Sequence, residues 1–183
     1  MRVLPAVLVL LIPIAANAST GRRAVTWNDI RIDREIGDGN GWVDPLEDAV
    51  ARAAYLVYQS TGMNLRPRLG YMPRYYGAYE TRDAYGPRVY ISRAERPQTV
   101  MFTVFHEAGH VAYRDDQRSL SRDCELWADE YAGRMIAAIH GDIRAAIADY
   151  RSRCDRLHGT GDMRAAALMR GYLATCRLRA AGP

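Results

Sequence analysis

Two histidines four residues apart, His106 and His110, enclose Glu107 in the pattern H-E-x-x-H. On a helix, positions four apart lie one above the other, so both imidazoles can close on one metal ion from the same side. Glu107 sits one residue round, where its carboxylate reaches a water beside the metal rather than the metal itself. Two such ligands and an adjacent base make up most of a zinc hydrolase centre, which still needs a third ligand. An exposed helix can carry the same letters without a metal, so the surrounding residues have to supply the rest.

Glu125 is the third donor that the sequence offers, in the run Glu125–Ala132. Apolar Leu126, Met135, Ile136 and Ile139 fall near helical spacing, and Ser121 is suited to cap the start. Glu125 and Asp129 then share a helix face, where like charges destabilise by about 0.2–0.5 kcal/mol. A metal on the glutamate and an imidazole N–H on the aspartate remove that cost. A solvated acidic stripe paired with Arg122 is the other reading.

With H-E-x-x-H followed by Glu125-Leu126-Trp127-Ala128-Asp129, the chain resembles the gluzincin metallopeptidases. The resemblance implies His106, His110 and Glu125 as zinc ligands, Glu107 as general base, and Asp129 as the carboxylate that orients His106. The longer zincin pattern H-E-x-x-H-x-x-G-x-x-H is absent, since Val111 to Asp116 contain neither the Gly nor the His. The short interval from His110 to Glu125 leaves room for a tight turn around Asp115 to Leu120. It is similar to that of the compact minigluzincins, including the ImmA/IrrE-type domains.

Upstream, Tyr71 to Ser92 carries aromatic and β-branched residues on either side of Arg82-Asp83-Ala84-Tyr85-Gly86-Pro87, and so reads as a hairpin. In compact zincins a strand before the metal helix forms the edge along which an extended substrate lies, pairing backbone to backbone. Near the C-terminus, His140 to Ile147 and then His158 to Arg164 resemble the CAAX-prenyl-protease-like gluzincins, with Ile143 and Gly159 where that pattern has proline. This second resemblance places His158 or Arg164 near the metal as a stabiliser of the developing oxyanion. The plainer reading is a surface histidine in the turn His158-Gly159-Thr160-Gly161, followed by an ordinary helix arginine.

These residues need a scaffold. The chain of 183 residues is 49% hydrophobic, enough for one globular domain with a core. Arg2, the apolar run Val3 to Ala16 and Ala16-Asn17-Ala18 read as a signal peptide over 1–18, with the mature domain at 19–183. The run is short for a bilayer span, and an uncleaved anchor is the competing reading. No later apolar run approaches eighteen residues, so an exported protein without a membrane span is expected. Removing residues 1–18 takes one arginine and leaves 24 basic against 21 acidic residues. That balance is too mild, and the arginines too scattered, to argue for a nucleic-acid partner.

Asp44-Pro45-Leu46-Glu47 reads as a helix start, with Asp at the cap, Pro first and Glu third. The helix should run to about Ser60, bury Leu46, Val50, Ala53, Ala54 and Val57, and stop at Gly62. Asp38-Gly39-Asn40-Gly41 is a plain turn whose acidic spacing does not match a calcium loop. Helices are also expected near 121–140, 142–157 and 162–178. If they are antiparallel, position 154 lies roughly opposite 128, making Cys124–Cys154 the better pairing among the three cysteines. Export would permit such a disulfide.

The expected architecture is therefore α+β, a zincin-like minigluzincin. It has an N-terminal helix and small sheet or hairpin, then the H-E-x-x-H helix, the Glu125 helix and C-terminal helices. The expected activity is zinc-dependent hydrolysis of a peptide or protein substrate. A secreted zinc-binding interaction module without peptidase activity is the alternative.

Overall fold

The structure is a computed structural model that describes residues 33–34, 44–70, 78–83, 86–113, 121–153 and 155–181. The expected signal segment 1–18, the turn at 38–41 and the turn around 115–120 lie outside the described residues. The architecture is α+β. In chain order it comprises β1 (Asp33–Arg34), α1 (Pro45–Thr61), β2 (Arg66–Gly70), β3 (Ala78–Asp83), β4 (Gly86–Ser92), α2 (Val100–Tyr113), α3 (Arg122–Ala138), α4 (Ile143–Ser152) and α5 (Gly161–Ala180).

Helix α1 forms as its local chemistry dictates. The Asp44 carboxylate accepts from the Leu46 N–H at 2.9 Å, Pro45 takes the first turn, and Gly62 ends the helix at φ 72°. Leu46, Val50, Ala53, Ala54 and Val57 are all buried, as their spacing requires.

The four strands run in the order β1-β2-β4-β3. β3 and β4 form the antiparallel hairpin, whose register pairs Asp83 with Gly86, and β1–β2 and β2–β4 are parallel. β2 has no alternating signal strong enough to read from sequence: it is five residues long and contains Pro67 between two arginines. Among the described residues β1 pairs with Arg68 and Leu69, so Pro67, which lacks an N–H, is paired there with β4 alone. Leu69, Val89 and Ile91 are fully buried, and α1 touches β2 while α2 touches β3 and β4.

Helix α2 is the centre of the molecule. Apart from Met101, Ala112 and Tyr113, every residue of it is buried, because α1 and the sheet cover one flank and α3 the other. At Gly109 a Cβ would stand 2.7 Å from the Cα of Ala128, so α2 and α3 approach closely only because that side chain is missing. The principal partner of α3 is α5. The two run in the same direction: Arg122 of α3 lies beside Gly159 and Met163 at one end, and Arg179 of α5 caps the Ala137 and Ala138 carbonyls at the other. At their crossing, a Cβ on Gly133 would collide with the Leu168 carbonyl and one on Gly171 with the Glu130 carbonyl.

The structure corrects the expected disulfide. Cys124 is a buried free thiol that accepts a hydrogen bond from the Ser121 hydroxyl at 3.3 Å, and Cys176 is also free. α3 packs chiefly on α5 rather than along α4. Cys154 itself lies outside the described residues. Among the described residues no helix is long and apolar enough to cross a membrane.

Candidate metal centre

The two histidines arise on one face of α2, and Glu125 enters from the first turn of α3, whose N-cap is Ser121. The close packing at Gly109 and Ala128 brings these faces together. His106 Nε2 lies 3.1 Å from Glu125 Oε2, His110 Nε2 lies 3.1 Å from His106 Nε2, and His110 Nε2 lies 3.4 Å from Glu125 Oε2. All three side chains are buried, and their donor atoms fall within 4.8 Å of one another.

The donor set fits a metal. Ligands held about 2.0–2.1 Å from a tetrahedral ion stand roughly 3.3–3.4 Å from each other, close to the spacings observed. The tautomer argues the same way. His106 Nδ1 lies 2.7 Å from Asp129 Oδ1; with the Nδ1 proton in that bond, Nε2 of a neutral ring is an acceptor facing the Glu125 carboxylate, and only a further proton or a metal cation lets the two meet. A cation between them resolves that opposition. The buried group His106, His110 and Glu125 can therefore hold a metal ion.

Electrostatics follow from burial and pairing. Burial works to raise the Glu125 pKa, but hydrogen bonds from His106 and His110 outweigh it and hold the carboxyl well below its ordinary range. Asp129, fully buried, is likewise pulled down against its burial by Arg164 and His106. Glu107 moves the other way. Burial pushes its pKa up, opposed by the fields of His106 and His110. The complete burial of Glu125 and Asp129 removes the solvated-stripe reading, and exposed Arg122 instead reaches the Arg156 carbonyl at 3.4 Å.

The two residues expected as oxyanion stabilisers have different fates. His158 comes to the site: its Nε2 stands 3.2 Å from Glu125 Oε2, in a half-buried turn between α4 and α5. Arg164 does not present itself to the ligand group. It lies behind Asp129, donating from Nε to Oδ2 at 2.9 Å and from Nη2 to Oδ1 at 2.8 Å, while Nη1 donates to the Arg153 carbonyl at 3.0 Å. Its guanidinium is thus committed to a buried ion pair.

Two contributors were not singled out from the sequence. Asp155 holds His158 Nδ1 at 2.6 Å and accepts the Leu157 and His158 backbone N–H groups. The D-x-x-H spacing of an Asx turn was the available signal. Tyr150 packs beside His106 and donates its hydroxyl to the Phe102 carbonyl at 2.9 Å; its spacing marks it only as a core residue of α4. Comparison of the chain with protein-family models, curated proteins and solved structures finds no match.

Proposed function

We propose that the protein is an exported zinc metallopeptidase of the compact gluzincin, zincin-like type, hydrolysing peptide bonds. One observation carries the reading: His106, His110 and Glu125 converge as a buried ligand set with Glu107 buried alongside them. Zinc suits two imidazoles and one carboxylate, and when bound supplies a Lewis acid that lowers the pKa of a water and polarises a carbonyl. Glu107 takes the proton from that water and passes it to the leaving amine. Asp129 keeps the Nδ1 proton on His106 and so directs Nε2 to the ligand position. His158, fixed by Asp155, donates to the carbonyl oxygen as charge develops there. β3, at the end of the strand order and in contact with α2, offers its backbone to an extended peptide.

A second reading, a zinc-binding interaction module without peptidase activity, is favoured by the same His158. A third imidazole this close to the carboxylate, acting as a fourth ligand, would close the position a substrate needs.

Elemental mass spectrometry on the purified protein and a Glu125→Ala variant tests the site. About one zinc per chain in the parent, with large loss in the variant, is expected. Absence of zinc from the parent after refolding with the metal would remove the enzyme reading. Peptide hydrolysis that disappears in Glu107→Gln then separates the peptidase from the interaction module, which that substitution leaves unchanged.

A further inference from the structure

Asp129 can orient His106 only if its own carboxylate is held still, and the structure shows how that is done. We propose that Arg164 is a positioning residue for His106, acting through Asp129. The inference rests on the zinc reading above.

The contact between Asp129 and His106 is a single hydrogen bond, from Nδ1 to Oδ1 at 2.7 Å. One bond leaves the carboxylate free to swing about its own torsions. Arg164 adds two parallel bonds from Nε and Nη2, at 2.9 and 2.8 Å, which fix both oxygens and hence the plane of the group.

Arg164 is itself fixed on two further sides. Its Nη1 donates to the Arg153 carbonyl, and its guanidinium carbon sits 4.5 Å from the centre of the Tyr150 ring. Arg153 is held in turn, because its guanidinium forms bonds of 2.8 and 2.9 Å to the two oxygens of Glu95. Tyr150 donates to the carbonyl of Phe102, one turn before His106. The contacts close a ring: from His106 on α2 to Asp129 on α3, Arg164 on α5, Tyr150 on α4, and back to α2. A ligand placed by such a ring has its direction set by three other helices.

A merely structural arginine would neutralise Asp129 and nothing more. Loss of it would then lower stability while leaving the metal site of the folded protein as it was. The test compares the full chain with Arg164→Met, Arg164→Lys, Asp129→Asn and the double variant Arg164→Met/Asp129→Asn. Zinc dissociation constants come from competition with a chromophoric chelator, site geometry from the visible absorption of the cobalt-substituted proteins, and folding from circular dichroism. Arg164→Met should weaken zinc binding by about tenfold or more. Arg164→Lys keeps the charge but loses the fork, so it should weaken zinc less and still alter the cobalt spectrum. The double variant should bind zinc no more weakly than Asp129→Asn alone, since both changes break the same path.

Losses that multiply in the double variant would overturn the proposal. So would zinc affinity and cobalt spectra unchanged in Arg164→Lys, which carries the result if Arg164→Met does not fold. A parent that binds zinc while both Arg164 variants match it defeats this proposal only. A parent that binds no zinc defeats the metal reading and this proposal with it.

Discussion

On one flank of α2, Val104, Ala108 and Val111 share a face by helical period and lie opposite His106, on the side that α1 and the sheet cover. On the other flank, Gly109, His106 and His110 meet α3, and behind them stand Asp129 and Arg164. The first interface is apolar and non-directional, so it tolerates changes that preserve volume. The second is directional: its polar groups meet specific partners at hydrogen-bonding distance, and removal of one leaves a buried polar group short of a partner. One helix thus carries both the stability of the domain and the geometry of its site, on separate faces.

The largest expected effect lies on the site side and leaves the fold alone. Glu107→Gln should reduce peptide hydrolysis by about 10²–10⁴-fold while zinc content stays at the parental level. Undiminished turnover in that variant would show that Glu107 is not the base. On the opposite flank, Ile91→Ala on β4 removes a fully buried side chain and should cost about 2–5 kcal/mol of stability, read from denaturant unfolding. Below its melting temperature it should hold zinc as the parent does. If it releases zinc while still folded, the two flanks are not separate.

Gly109→Leu probes the seam between them. With a Cβ already 2.7 Å from the Ala128 Cα, the larger side chain must push α3 away and carry Glu125 with it. Zinc retention against a chelator should fall by about tenfold, on the scale of other changes that disturb ligand orientation. Parental retention would mean that α3 adjusts without moving its glutamate.

The smallest effect distinguishes the flanks by pH. Asp129 has a depressed pKa in the folded protein. Its contribution to stability is therefore complete above the unfolded carboxyl value of about 3.9 and is lost as pH falls through the lower folded value. In zinc-free protein, the stability gap between parent and Asp129→Asn should be present above the unfolded carboxyl value and close as pH falls below about 4. The gap between parent and Ile91→Ala should not depend on pH, because no proton is involved.

The sequence was most legible where function constrains short spacings. His106, Glu107 and His110 are a local pattern, and Glu125 with Asp129 is a second one a few turns later, so their meeting needed only two helices. α1 was equally legible, because Asp44, Pro45 and Gly62 mark its ends by local chemistry. The hairpin of β3 and β4 also matched its turn signals. Long-range pairings were not legible. β2 is short and its parallel partners are distant in sequence, so nothing local marks it. The parallel run of α3 with α5 depends on Gly133 and Gly171, two residues that in sequence look only like weak helix formers. That packing also turned Arg164 inward to Asp129. His158 was placed near the metal by resemblance alone, and its partner Asp155 became evident only from the turn that joins them.

The covering of α2 on both flanks has a consequence for how the molecule breathes. A helix packed on both flanks cannot open by peeling from a surface; either the sheet half or the α3–α5 half must come away first. Its backbone amides should therefore exchange with solvent deuterium only through near-global opening, and outlast those of α4 and the ends of α5.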